Sequence, residues 1–271
     1  CLTLFGGCMI CHGELASQRP EPARLTSFYL SLAAGGALGG VFVSLIAPRV
    51  FRDFWEFPLS ILGVIVLLGV ALWRDPTSPM HKGAKPLRWA GILAFFFGLS
   101  IPLALPKLAF ETGTITSTRN FYGLLRVYDD VEKEPHRRVL RHGHITHGFE
   151  IQGQSGIPAP TAYYGPGTGI HVMTERHPKR LRGEAMNVGV VGLGVGAIAS
   201  LMIDGDAIRF YEINPAVIDF AQRYCTFLSA SPGEVDVVLG DGRIALEESV
   251  GQHPPYDILV ADAFSSDAIP I

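Results

Sequence analysis

Charge is scarce in this chain. Only 17% of its 271 residues are Asp, Glu, Lys or Arg, where a soluble domain carries about a quarter. A basic excess is also lacking, with 22 Lys and Arg against 25 Asp and Glu, which excludes binding to nucleic acid through a positive surface. Cysteine is rare, four residues in all, which excludes a disulfide-built miniprotein. What is abundant is apolar: 48% of the residues are hydrophobic, which excludes a disordered chain. The length suggests about two domains. The first residue is not Met, and the chain stops at Pro270-Ile271 soon after a strand-like run. We therefore expect a piece of a longer protein, shortened at both ends.

The scarcity is uneven. Residues 1–106 hold 8 of the 22 basic and 5 of the 25 acidic residues, a net +3, which leaves 14 and 20, a net −6, for residues 107–271. Leu25–Pro48, Phe57–Trp73 and Trp89–Pro106 contain no charge at all. A helix needs roughly 20 apolar residues to cross a bilayer, with about 17 as the lower limit. Trp55, Trp73 and Trp89 stand at the edges of the runs, where amphipathic rings favour the membrane interface. Gly35 with Gly39, and Gly36 with Gly40, form small-x-x-x-small pairs that let helix backbones approach. Three buried helices of a soluble core are the other reading, disfavoured because charged connectors separate the runs. We expect residues 1–24 to be a membrane-proximal segment and 25–108 to hold three transmembrane helices, in a multi-pass protein of the cell (inner) membrane. Arg74, Lys82, Lys85 and Arg88 favour a cytoplasmic connector. The chemistry below asks for a cytoplasmic C-terminal domain, and we give it precedence.

Cys8-x-x-Cys11-His12 matches a haem-attachment pattern. It stands beside a membrane run with no haem-binding domain around it, and chance is the better reading. No second ligand pair lies nearby for zinc. Cys225 reads as buried packing.

Residues 107–118 read as a polar exit linker. Phe121–Tyr128 and Arg138–Gln152 are rich in strand formers interrupted by glycine, and predict two or three antiparallel strands. This β-rich, substrate-side segment spans residues 119–169. His142, His144 and His147 read as polar edge residues rather than a metal site. The Gly/Pro-rich stretch 153–169 is a candidate substrate rim. In it Tyr163-Tyr164 either stacks on a ligand or packs as a pair, and Tyr164 is a candidate substrate contact.

From residue 184 to 271 the pattern becomes that of a Rossmann-like nucleoside-binding domain. Strand Val188–Val191 runs into Gly192-Leu193-Gly194-Val195-Gly196 and then a helix from Ala197 to Met202. Glycines at Gly192, Gly194 and Gly196 suit a sharp bend that a ligand approaches closely. Glu212 ends the next strand, 20 residues after Gly192, the spacing at which an acid meets ribose hydroxyls. A helix over 215–228 and strand Val235–Leu239 follow, then Gly240-Asp241-Gly242-Arg243. Asp241 at that strand end can accept from an adenine amino group. A fourth strand, Tyr256–Ala261, ends in Asp262-Ala263-Phe264-Ser265-Ser266-Asp267. Acids at successive strand ends line one crevice. A nicotinamide dinucleotide would leave Asp241, Asp262 and Asp267 without a role, so an adenosyl-sulfonium compound is the better ligand.

The blocks Gly-Leu-Gly-Val-Gly (192–196), Tyr-Glu-Ile-Asn-Pro (211–215), Gly-Asp-Gly-Arg (240–243) and Tyr-Asp-Ile-Leu-Val-Ala-Asp-Ala-Phe-Ser-Ser-Asp (256–267) resemble the spermidine synthase group of aminopropyltransferases. With Cys-His-Gly-Glu-Leu (11–15), Gly-Gly-Ala-Leu-Gly-Gly (35–40), Arg-Asn-Phe-Tyr-Gly (119–123) and Tyr-Tyr-Gly-Pro-Gly (163–167), the whole chain is similar to bacterial spermidine synthase-like proteins fused to a membrane region. The resemblance implies an α/β architecture: transmembrane helices, a small antiparallel segment, and a Rossmann-like transferase domain dependent on S-adenosylmethionine (AdoMet). It implies that Gly192, Gly194, Gly196, Asp241 and Gly242 bind the nucleoside and that Glu212 holds the ribose. Asp262 would take a proton from the attacking amine, and Asp267 would hold a cationic amine. No resident cofactor or metal is implied; decarboxylated AdoMet or AdoMet is a co-substrate, and the partners are a polyamine such as putrescine and the bilayer, with a homodimer left open. The sequence departs from the soluble synthases at Tyr164-Gly165-Pro166, where a polar residue and an acid are missing. It also departs in the spacing of Asp262 and Asp267, and in Asn214, where an acid is often found. An AdoMet-dependent methyltransferase and a non-catalytic membrane protein that binds a nucleoside or polyamine are the alternatives.

Overall fold

The computed structural model describes residues 2–51, 53–76, 113–143 and 145–263. The chain divides into two units, Cys1–Phe110 and Glu111–Ile271. In the first, helix Leu2–Ser17 precedes the continuous helical stretch Pro22–Val50, and a last helix runs over Glu56–Arg74. Phe42–Ile46 is a π-helical turn with a local cause. Pro48 has no N–H to return to the carbonyl one turn back, and the Ala47 N–H reaches five residues back to Phe42 O.

Pro22–Val50 and Glu56–Arg74 are long and apolar enough to cross a membrane. Their large side chains point away from their own unit: Leu38 is 69% and Leu67 58% exposed, and Ala47 is the only buried one among the described residues of this unit. A water-soluble core would cover such side chains. Apart from the adjoining residues and backbone of their own helix, nothing among the described residues comes within 4 Å of a Cβ built at Gly35, Gly36, Gly39 or Gly40. The third expected span, 89–106, lies outside the described residues.

The second unit is mixed α/β, with one antiparallel and one parallel sheet. Strands β1 (Thr114–Asn120), β2 (Gly123–Asp130), β3 (Arg137–His142) and β4 (Ile145–Ile151) form an antiparallel meander in sequence order. This corrects the linker expected over 107–118, since residues 114–118 are strand. Thr114, Ile115, Thr116 and Thr118 are polar or exposed yet β-branched, and branched side chains favour the pleated conformation. Phe121 and Tyr122, expected as strand, make the β1–β2 turn instead.

Strands β5 (Asn187–Val191), β6 (Ala207–Glu212), β7 (Glu234–Leu239) and β8 (Ile258–Ala261) are parallel, in the order β7-β6-β5-β8. The central strands β5 and β6 are largely buried, whereas the outer β7 and β8 alternate with exposed positions. The segment after β5 forms a short 3-10 helix, Ala197–Leu201, rather than a full α-helix. The helix after β6 spans Pro215–Tyr224, shorter than expected, and Cys225 beyond it is extended and buried. Leu125, Val127 and Leu140 of the small sheet share one core with Val188, Val190, Phe210 and Phe220. Asp206, almost fully buried, ties the lower end of the parallel sheet together. It accepts from Arg180 at 2.6 and 3.1 Å and from the backbone N–H of Met186 and Ile203, both at 2.9 Å.

Candidate nucleoside site

Strands β5 to β8 all end on one edge of their sheet. After β5 the chain adds β6 and β7 on one side and β8 on the other. Open α/β sheets bind ligands at such a switch point. A cavity of about 550 Å³ opens there, with Gly192, Gly194, Glu212, Asp241, Gly242 and Asp262 on its wall. The acids at the ends of β6, β7 and β8 are thus brought into one space. Asp267 lies outside the described residues.

The glycines meet the protein's own chain first. Gly192 has φ +100°, and a Cβ there would overlap the carbonyl of Asp262; at Gly194, φ +56°, it would stand 2.9 Å from His147 O. Gly242 packs on Val191, where a Cβ would come within 2.5 Å of Cγ1. The bend is therefore tight because the β8 end and strand β4 close over it. Gly196 stands apart from the cavity wall, against Leu228.

Glu212 is buried, and both its oxygens already accept backbone N–H groups, Oε2 from Leu193 at 3.1 Å and Oε1 from Asn214 at 2.9 Å. Burial pushes its carboxyl above the usual range, and these N–H groups hold it back. Each oxygen keeps a lone pair for a ligand hydroxyl. Asp241 is the N-cap of helix Gly242–Glu248, where Oδ1 accepts from Arg243 N at 3.0 Å and Ile244 N at 3.1 Å. Its cap geometry turns the carboxylate toward the helix start and leaves the second oxygen without a bond among the described residues.

Asp262 is fixed by the parallel sheet at its backbone, where its N–H reaches Val191 O at 2.8 Å. Its carboxylate accepts from the Tyr164 phenol, and Tyr163 Oη lies 3.5 Å from the same oxygen. Burial raises the Asp262 carboxyl, and the two phenols lower it in part. The two tyrosine rings pack on each other with centroids 4.6 Å apart. Tyr164 is buried and does not line the cavity; it reaches the site by holding Asp262.

The cavity wall includes residues that the sequence reading did not assign to the site, His147 and Asn214 among them. In the β3–β4 register Leu140 pairs with Gly148 but Arg141 with Thr146, so His147 is the extra residue of a bulge, a device that re-aims a side chain. It lines the cavity beside His142 and keeps Nε2 without a partner. Burial and the neighbouring His142 hold His147 below the ordinary imidazole range. His142 is committed elsewhere, its Nε2–H donating to Tyr122 O at 2.6 Å. Asn214 also lines the cavity, with Nδ2 buried and without a partner among the described residues. Among the described residues no group of three His, Cys, Asp or Glu could hold a metal ion. Cys8 and Cys11 are free thiols, and burial pushes the Cys225 thiol up to about 12.

No protein-family model matches the chain, and no curated protein matches it. Among solved structures it is similar to spermidine synthase from Thermotoga maritima, 13% identical over 58% of this chain and 48% of that one, with a TM-score of 0.37. A probable spermidine synthase from Corynebacterium glutamicum is 14% identical over 58% and 54%, TM-score 0.41. Human methyltransferase-like protein 13 in complex with SAH is 24% identical over 37% and 47%, TM-score 0.28. The chain spans about half the length of each of these structures.

Proposed function

We propose that the cavity binds the adenosine moiety of a sulfonium compound and that the protein is a transferase that passes an aminopropyl group from decarboxylated AdoMet to a polyamine such as putrescine. The observation that supports this most is the convergence of Glu212, Asp241 and Asp262 on one cavity at the Gly192–Gly194 bend. Glu212 accepts from the ribose hydroxyls, and the free oxygen of Asp241 accepts from the adenine amino group. Asp267 assists with the second charge of the polyamine. A protonated amine has no lone pair to attack with. Asp262 takes its proton, and the nitrogen lone pair forms a bond to the carbon attached to sulfur. The C–S bond breaks with its electron pair going to sulfur, which leaves a neutral thioether. The helices Pro22–Val50 and Glu56–Arg74 anchor the enzyme in the bilayer, with the transferase domain on the cytoplasmic side.

Titration calorimetry of the full chain in detergent tests this reading, with decarboxylated AdoMet, AdoMet and NAD as ligands. Binding of the sulfonium compounds is expected and binding of NAD is not. An Asp262→Asn variant is expected to keep nucleoside affinity within about tenfold and to lose turnover by roughly 100-fold or more. Normal turnover in that variant removes Asp262 from its role. Methyl transfer without aminopropyl transfer assigns the cavity to a different AdoMet chemistry.

A further inference from the structure

Asn214 is 98% covered and lines the same cavity. A closed network sets the direction of its amide. The Tyr122 N–H donates to Asn120 Oδ1 at 2.9 Å, which makes Nδ2 the end of Asn120 that donates to Asn214, at 2.7 Å. The Ala216 N–H donates to the same Asn214 atom at 3.1 Å. An atom that receives two donors is the oxygen, so the other end of the amide is Nδ2, and it has no hydrogen-bond partner. A buried amide N–H without an acceptor is unfavourable, and such groups are rare in folded proteins. The residue itself neighbours Glu212, whose Oε1 accepts the Asn214 backbone N–H at 2.9 Å.

We infer that Asn214 Nδ2 donates to a ligand hydroxyl oxygen next to Glu212, and that the two residues together read a ribose diol. This rests on the nucleoside reading above and extends it. A hydroxyl both donates and accepts; Glu212 takes its proton side and Asn214 its lone-pair side. The ligand class is a ribonucleoside with free 2′ and 3′ hydroxyls. A deoxyribose lacks the oxygen, and a ribose phosphate brings a second negative charge against Glu212. Asn120 is the positioning residue: from the end of β1 it stops the Asn214 amide from turning, so the small sheet takes part in nucleoside recognition.

Asn214→Asp is the sharpest test. It keeps the oxygen that caps the helix and meets Asn120, and exchanges only the NH2 for an acceptor. Titration calorimetry of the full chain in detergent would use 5′-methylthioadenosine and its 2′-deoxy and 3′-deoxy forms. The wild type is expected to bind the ribonucleoside and to prefer it over one deoxy form by about tenfold or more. Asn214→Asp is expected to weaken the ribonucleoside about tenfold, as for one lost hydrogen bond, and to erase much of that preference. Asn120→Ala is expected to shift both in the same direction by less. Undiminished affinity and unchanged preference in Asn214→Asp overturn the inference and leave the nucleoside reading intact. Should Asn214→Asp not fold, an unchanged preference in Asn120→Ala overturns it instead. A wild type that binds none of the three compounds overturns the nucleoside reading as well.

Discussion

The phenol of Tyr164 donates to the carboxylate of Asp262, a residue 98 positions further along the chain. The bond ties the short 3-10 turn Ala162–Tyr164, which precedes the parallel sheet, to the tip of its last described strand. Asp262 is thereby held in one orientation and supplied with a donor that favours its charged form.

Tyr164→Phe removes that donor. Burial already raises the Asp262 carboxyl, and the phenols offset part of the rise. Without Tyr164 the carboxyl moves further up. If Asp262 takes the amine proton as proposed, turnover rises as pH climbs through its titration. The acid limb of the kcat/KM profile is expected to move to higher pH. An acid limb that stays in place shows that the phenol does not tune Asp262.

Glu212 holds its proton more tightly folded than its ordinary 4.5. A raised carboxyl adds stability below its unfolded value and loses it as pH climbs through the folded one. In the ligand-free protein, the urea midpoint is expected to decline from about pH 4.5 upward through this group. Glu212→Gln is expected to flatten that decline. It also sets an amide NH2 against the Leu193 or Asn214 N–H, so the whole curve should lie lower. An unaltered slope would separate the decline from Glu212.

Gly192→Ala places a methyl group on the Asp262 carbonyl at a φ of +100°. Backbone strain and overlap together are expected to cost about 3 kcal/mol or more. Gly169→Ala, with open space and an ordinary φ, should stay within about 0.5 kcal/mol. Equal urea midpoints for the two variants would contradict the close approach of the β5 and β8 ends.

Asp206→Ala leaves the Arg180 guanidinium and two N–H groups without their acceptor. Breaking a buried pair in this way costs about 3–5 kcal/mol, to be read as a fall in the urea unfolding midpoint. A loss below about 1 kcal/mol would place this pair among exposed ones.

Leu67 is 58% exposed in the middle of Glu56–Arg74. If this helix spans a bilayer, Leu67→Arg should reduce insertion by about 3 kcal/mol, measured with a glycosylation-site reporter. Insertion unaffected by the charge would argue against a span here.

Several features of the second unit are local in the chain and could be read from it. Val, Ile and aromatic residues mark β5 to β8, the glycines after Val191 mark a bend, Glu212 closes β6, Asp241 stands two positions past the end of β7, and Asp262 directly follows β8. Strand β1 escaped because Thr114–Asn120 carries polarity in place of apolar alternation. The uncharged N-terminal runs were legible for the opposite reason, since the absence of charge over a helix length is itself the signal.

The chain alone determined which strand ends bear acids, because a strand and the residue after it are set by neighbouring side chains. It could not say what those acids touch. The Tyr164–Asp262 bond, the Asn120–Asn214 bond across 94 residues and the bulge that turns His147 inward exist only after two sheets pack on one core. Contacts between distant segments depend on register and topology, which no local periodicity encodes, and it is these contacts that orient the carboxylates and leave one amide nitrogen without a partner.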